Sequence, residues 1–166
     1  MARRPVIGVM GAGDAARPQD IDLARALGAA VANEGWVLLS GGRDAGIMDA
    51  VNQGAHAAGG LTIGVLPTAD TSHLSEAVDV AIVTGMGSAR NAINVLSSDV
   101  VIACGRGGAG TASEIALALK SKKPVILLND SEDSRRYFSG IGGARVSAAE
   151  TVEQAIALAR GLLAAR

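Results

Sequence analysis

Six short aliphatic runs recur along the chain: VIGVM (6–10), WVLLS (36–40), LTIGVL (61–66), VAIVT (80–84), DVVIAC (99–104) and PVILL (124–128). Their length and β-branched content predict strands. Between them the apolar positions fall into a helical period. Leu23, Leu27, Ala30 and Val31 line a first helix, with Asp20 expected as its N-cap and Gly35 just past its end. Ile47, Val51, Gly54, Ala55 and Ala58 line a second, Ala89, Ala92, Ile93 and Leu96 a third, and Ala112, Ile115, Ala116 and Leu119 a fourth. A last helix is expected to open on Ser147 and Glu150 in capping-box spacing and to bury Val152, Ala155, Ile156, Ala159 and Leu163. The polar segment 129–145 reads as irregular. Strands alternating with helices predict an α/β fold: a parallel sheet with crossover helices on both faces, in one domain spanning residues 1–166.

Composition narrows the function. With 49% hydrophobic and 19% charged residues the chain is expected to be a soluble globular protein. A formal charge of -1, with only short basic pairs such as Arg3-Arg4, Lys122-Lys123 and Arg135-Arg136, argues against a nucleic-acid partner. Trp36, Tyr137 and Phe138 are the whole aromatic set, too few for base stacking. The start MARRPVIGVMGAG has a basic, then apolar profile, but its apolar part is short, glycine-containing and ended by Asp14, so it reads as a first strand. No apolar run reaches the ~20 residues of a membrane helix. The single cysteine excludes an internal disulfide, and a reducing cytoplasm is expected.

Ligands of open α/β sheets bind beyond the carboxyl ends of the strands. The loops there are GAGD (11–14), GGRDAG (41–46), GMGS (85–88) and GRGGAG (105–110), and the last three run directly into helices. Helix N-termini offer unpaired N–H groups and glycine lets a ligand approach the backbone, so an anion site is expected at this edge. Two more specific readings fail. GAGDAA (11–16) has the spacing of a dinucleotide fingerprint, but Arg17-Pro18 interrupts the helix and the second strand ends at Ser40 instead of an acidic residue. GRGGAGT (105–111) has Walker A spacing with Thr111 where lysine belongs.

Arg90 is expected in the first turn of a helix, where a cation opposes the dipole by ~0.3 to 1 kcal/mol unless an anion is bound. Arg43, ahead of the second helix, has the same standing on weaker grounds. Each could instead be an exposed, salt-bridged arginine. Glu114 has two readings: with Thr111 it forms a capping box, or it faces the crevice, where a carboxylate could stabilise a ribosyl centre or position a water. Spacing alone favours the cap and does not separate the two. His56 is expected in solvent, His73 in a loop, and Cys104 as a buried structural thiol, so no protein metal site is expected. Asp44, Asp49, Asp70 and Asp99 read as turn or capping residues, with Asp70 in a loop able to close over a ligand.

Four segments, GGRDAGIM (41–48), AAGGLTIGVLP (57–67), GSARNAINVLSS (87–98) and GGAGTASE (107–114), together resemble the signatures of the Lonely Guy (LOG) and molybdenum cofactor carrier superfamily, in order from about Val6 to Leu128. The resemblance implies a Rossmann-like doubly wound sheet, a homo-oligomer (dimer or tetramer) and a small phosphorylated ligand. LOG enzymes hydrolyse the N-glycosidic bond of nucleoside 5′-monophosphates, without a cofactor, through an arginine and a glutamate. Their M-x-x-R-K pattern maps loosely onto Met86 to Asn91, with a longer spacer before Arg90 and Asn91 in place of lysine. Their P-G-G-x-G-T-x-x-E pattern maps onto Arg106 to Glu114, with Arg106 in place of proline. The catalytic pair would be Arg90 and Glu114. The GGR loop and the GSAR-x-x-IN-x-LSS segment are closer to the carrier branch, which binds and protects molybdenum cofactor, a phosphorylated pterin whose metal is held by its own dithiolene. In that reading Gly42, Arg43, Ser88, Arg90 and Thr111 give donors to the anionic ligand, with Gly41, Gly46, Gly87, Gly107, Gly108 and Gly110 around it, and Glu114 returns to capping. A carrier for such a cofactor, or a related pterin or nucleotide, is the first expectation. A phosphoribohydrolase is the alternative.

Overall fold

Each of the six aliphatic runs forms a strand in the computed structural model, which describes residues 3–165; Met1, Ala2 and Arg166 of the expected domain lie outside the described residues. The strands are β1 (Val6–Met10), β2 (Val37–Ser40), β3 (Leu61–Leu66), β4 (Val80–Val83), β5 (Val100–Cys104) and β6 (Val125–Leu128), joined by an unpredicted β7 (Val146–Ala149). They make one sheet in the order β4-β3-β2-β1-β5-β6-β7. All pairings are parallel. The order reverses between β1 and β5, which places a topological switch point at their carboxyl ends.

Helices α1 (Pro18–Asn33), α2 (Gly46–Ala57) and α6 (Val152–Ala164) cover one face; α3 (Asn91–Ser97), α4 (Ala109–Lys120) and α5 (Glu132–Gly142) cover the other. Alternate strand residues feed two cores. Ile7, Val9, Leu38, Ile102 and Ile126 pack against Leu27, Val51 and Ile156 on the first face. Leu39, Val65, Val101 and Leu127 meet Val95, Ile115 and Phe138 on the second. Each such side chain contributes about 1.5–3 kcal/mol when fully buried. This is the Rossmann-like fold that the alternation predicts.

Several local expectations change. Pro18 opens α1 with Arg17 at its N-cap, so the arginine–proline pair starts the helix instead of breaking it. Asp20 is therefore no cap: it is 1% exposed in the first turn and takes hydrogen bonds from Arg17 Nε at 2.7 Å and Nη2 at 2.8 Å. Segment 129–145 contains α5, capped by Ser131, whose hydroxyl accepts from Ser134 N at 3.2 Å. Ser147 lies in β7, and the cap of α6 is Thr151, which accepts from Gln154 N at 3.3 Å while Gln154 Oε1 accepts from Glu150 N at 2.8 Å.

The apolar stripes of two helices are rotated from expectation. A 3-10 turn (Gly87–Arg90) precedes α3, so Asn94 and Val95 turn inward and Leu96 is 59% exposed. In α4, Thr111, Glu114, Ile115, Ala118 and Leu119 are buried, whereas Ala112 and Ala116 are exposed. Alanine fits either face, and here polar residues take the inner one. Ala58, expected in the stripe of α2, is exposed beyond its end. The stripes of α1 and α6 lie where expected, with Leu27, Val31, Ala155, Ile156 and Ala159 buried.

Candidate functional site

A cleft of about 590 Å³ opens at the switch point, across the carboxyl ends of β1, β2 and β5. Its walls include Gly41, Arg43, Gly87, Ser88, Arg90, Gly108, Gly110, Thr111 and Glu114 among the expected site residues. Gly42, Gly46 and Gly107 are not on its walls. Gly42 turns inward, where a Cβ would stand 2.8 Å from Gly64 Cα. Gly46, at φ +54, packs its Cα under the carbonyls of Ala12 and Gly13 and so brings α2 against the loop after β1. Gly107 packs against Thr111 and faces a neighbouring depression of about 360 Å³ that includes Arg106, Asp130 and Asp133.

The residues Gly11, Ala12, Gly13, Asp14 and Ala15 also line the cleft. They were not among the expected ligand contacts because their loop does not run straight into a helix. The signal was the topology rule: β1 is the strand at which the order reverses, so its loop must border the crevice. Met48, Pro67 and Asn91 are further wall residues missing from the expectation.

Hydrogen bonds hold the GGRD loop in place. Ser40 Oγ donates to Asn52 Oδ1 at 2.9 Å and accepts from Gly42 N at 3.0 Å, deep beneath the loop. Backbone bonds from Ser75 N to Gly42 O at 2.9 Å and from Asp44 N to His73 O at 3.0 Å bind it to segment 67–75. That segment is also bonded to the GMGS loop, through Gly85 N to Thr68 O at 2.8 Å and Gly87 N to Pro67 O at 2.9 Å. Asp70 holds a turn here by accepting from Ser72 N and Oγ, which keeps its carboxyl below the usual range.

Arg90 is only 8% exposed, and its Nε has no hydrogen-bond partner. It sits at the end of the 3-10 turn rather than inside a helix, so the expected clash with a helix dipole is not the argument for an anion. Burial is the argument, because a desolvated cation without a hydrogen-bonded counter-charge is costly. Its guanidinium lies over Gly41, where a Cβ would be 2.5 Å from Nη1. Burial pulls its pKa down; the Glu114 charge opposes this and the Arg43 charge reinforces it. Arg90 and Arg43 thus face one cleft with like charge.

Glu114 is not a helix cap. The N-cap of α4 is Gly108, so Thr111 already lies inside the helix and the glutamate stands a further turn along. It is 7% exposed on the cleft wall, and its Oε1 accepts from Asn94 Nδ2 at 3.1 Å. Burial raises its pKa, opposed by the Asn94 hydrogen bond and by the charge of Arg90. A second tie joins the same helices, Asn91 Nδ2 to Ser113 Oγ at 3.1 Å. The sequence signal for Asn94 was its spacing, one turn beyond Arg90.

Cys104 is fully buried and its thiol is pushed up to about 12 by burial, with Asp20 adding to the effect. His56 is exposed, 3.3 Å from Asp79, and His73 is 3.8 Å from Asp44. Among the described residues no cluster of His, Cys, Asp and Glu could hold a metal, and no helix is long and apolar enough to cross a membrane.

The chain is similar over almost its whole length to the molybdenum cofactor binding protein of the phototrophic bacterium Rippkaea orientalis: 55% identity, TM-score 0.95, covering 98% of this chain and 99% of that one. The molybdenum cofactor carrier protein of Chlamydomonas reinhardtii is 49% identical, with a TM-score of 0.93 over 98% of this chain and 99% of the other. A cytokinin riboside 5′-monophosphate phosphoribohydrolase of Mycobacterium tuberculosis is 34% identical over 129 residues, which are 73% of this chain and 66% of the enzyme. The model of the SLOG cluster4 family matches residues 4–157. The chain belongs to that family, within the LOG and molybdenum cofactor carrier superfamily and closer to its carrier branch.

Proposed function

We propose that the protein binds a phosphorylated cofactor, molybdenum cofactor or a related pterin or nucleotide, in the cleft between β1 and β5. The carrying observation is the buried Arg90 guanidinium beside Arg43, a pair of cations on a wall that has room for an anion. A cleft of this size is in the ~300–1,000 Å³ range of small-molecule sites. The N-terminal N–H groups of α4, around Gly108, Gly110 and Thr111, would meet the phosphate, with Ser88 and Arg43 as further donors. The metal of such a cargo is held by the pterin, so the protein need only grip the organic part. Similarity to two molybdenum cofactor proteins supports this reading. Self-association belongs to the same proposal and is supported by apolar surface on Val80, Ile82 and Leu96, 45%, 40% and 59% exposed. A cytoplasmic location belongs to it as well.

The test is molybdenum and pterin retained by protein purified from a host that makes the cofactor. Wild type is expected to retain both and Arg90→Ala to lose both. Equal retention would remove Arg90 from the site.

One observation keeps hydrolysis as a second reading: Glu114 stands on the cleft wall with Arg90 instead of capping a helix. A carboxylate there could stabilise positive charge at a ribosyl carbon while water adds and the base leaves. Release of free base and ribose 5-phosphate from nucleoside 5′-monophosphates, abolished in Glu114→Ala, would establish this activity. No release above background from wild type would end it.

A further inference from the structure

The buried cluster beneath the cleft is unevenly satisfied. Asn94, 0% exposed, uses its Nδ2 on Glu114 while its Oδ1 has no partner. Arg90, one turn earlier, leaves Nε unbonded. Arg90 and Glu114 act on each other through charge, but no ion pair joins them among the described residues. Buried polar groups in native proteins are nearly always paired, so an idle oxygen on a fully buried amide invites a reason. An amide offers a donor on one side and an acceptor on the other. Turned over, Asn94 would present that oxygen to Glu114, which could satisfy it only as a protonated acid with an O–H to donate.

An anion at Arg90 supplies the cause for the turn. It cancels the positive field that favours the Glu114 carboxylate and adds negative charge nearby. Resting on the anion-site reading above, we propose that Asn94 is a positioning residue that couples anion binding at Arg90 to uptake of one solvent proton by Glu114. Other charged groups do not supply this link. Asp14 and Arg43 line the same cleft from the loops after β1 and β2, and Arg106, Asp130 and Asp133 border the depression on the far side of Thr111. Of all these charges, Arg90 is the one that shifts Glu114. Strands β5 and β6, packed against α4, bring no charged residue to it.

The test uses inorganic sulfate, a dianion that does not itself titrate near neutral pH. Its binding is measured calorimetrically, at constant ionic strength, in buffers of different ionisation enthalpy and across pH. Wild type is expected to take up as much as about one proton per sulfate, with affinity falling as pH rises. Glu114→Gln is expected to take up none and to bind with a flat pH profile. Asn94→Leu, which removes both the donor that holds the carboxylate and the oxygen that would meet the protonated acid, is expected to lose most of the uptake at the pH where wild type shows it, and full uptake there overturns the role of Asn94. Sulfate binding by wild type without proton uptake overturns the coupling and leaves the anion site standing, as does equal uptake by Glu114→Gln. Failure of sulfate to bind at all overturns the anion-site reading and the coupling with it.

Discussion

Replacing Gly41 by alanine adds one methyl group at a point where the fold has no room for it. The new Cβ would lie 2.5 Å from Arg90 Nη1, 2.5 Å from Met48 Sδ and 3.0 Å from Arg90 Nη2. Normal carbon contacts are about 3.5–4.0 Å, so both side chains must retreat by roughly 1 Å. Both contacts are the far ends of flexible side chains, and Gly41 does not have a positive φ, so the fold can adjust. Overpacking of this kind costs about 1–3 kcal/mol, and the lower end is expected. Binding should suffer more. A charge-assisted hydrogen bond from a displaced guanidinium is worth about 1.5–3 kcal/mol, which corresponds to roughly 10–150-fold in Kd. The assay is calorimetric titration with AMP or sulfate, paired with a thermal melt. Full wild-type affinity in a folded Gly41→Ala protein would show that the Arg90 guanidinium does not bind the anion from its position over Gly41.

Arg90→Met should weaken anion binding by at least the same factor while raising stability, because it removes a buried cation that lacks hydrogen-bonded compensation; urea unfolding curves would test this, and a loss of stability would contradict it. Glu114 gives a signed pH effect. Burial raises its folded pKa above the unfolded value, so its contribution is fully present below the unfolded pKa and lost as pH rises through the folded one. Glu114→Gln should therefore gain on wild type as pH climbs, with no gap in acid, and a difference that shrinks toward alkaline pH would refute it. Asp79 has the opposite sign: hydrogen bonds from Thr62 lower its pKa, so Asp79→Asn should lose stability at neutral pH but not once pH falls through the folded pKa. Cys104, fully buried with a thiol pushed up to about 12, should resist thiol reagents at pH 8 until the protein unfolds, and rapid native labelling would contradict its burial.

The strands were legible because a buried parallel strand is apolar throughout, and none of β1, β2, β5 and β6 exposes a residue. β7 was missed because Val-Ser-Ala-Ala lacks that signature; its pairing with β6 supplies what its side chains do not. The α4 stripe failed for a related reason, since alanines mark either face and the inward residues include Thr111 and Glu114. The glycine loops pointed to the edge where the cleft opens, but not every glycine meets it: Gly42 and Gly46 serve packing between elements. Spacing could not separate the two readings of Glu114, cap or crevice. What separates them is the start of α4 at Gly108 and the burial of Glu114 on the cleft wall, which depends on how α3 and α4 rotate against each other.

The seam that holds the cleft joins β1 to β5, with Gly8 opposite Val101 and Met10 opposite Ala103, residues drawn from the two ends of a long stretch of chain. A pairing so distant in sequence closes late, after much entropy has been given up. During synthesis, the segment through β4 would have its glycine loops but no opposing wall, so a nascent chain cannot capture ligand. Under the proposed function, cargo would be loaded only on a finished sheet, and its binding would then oppose every opening that parts β1 from β5. Amide exchange at that seam should slow when ligand is added, in step with global protection, while the outer strand β4 goes on exchanging at its own rate.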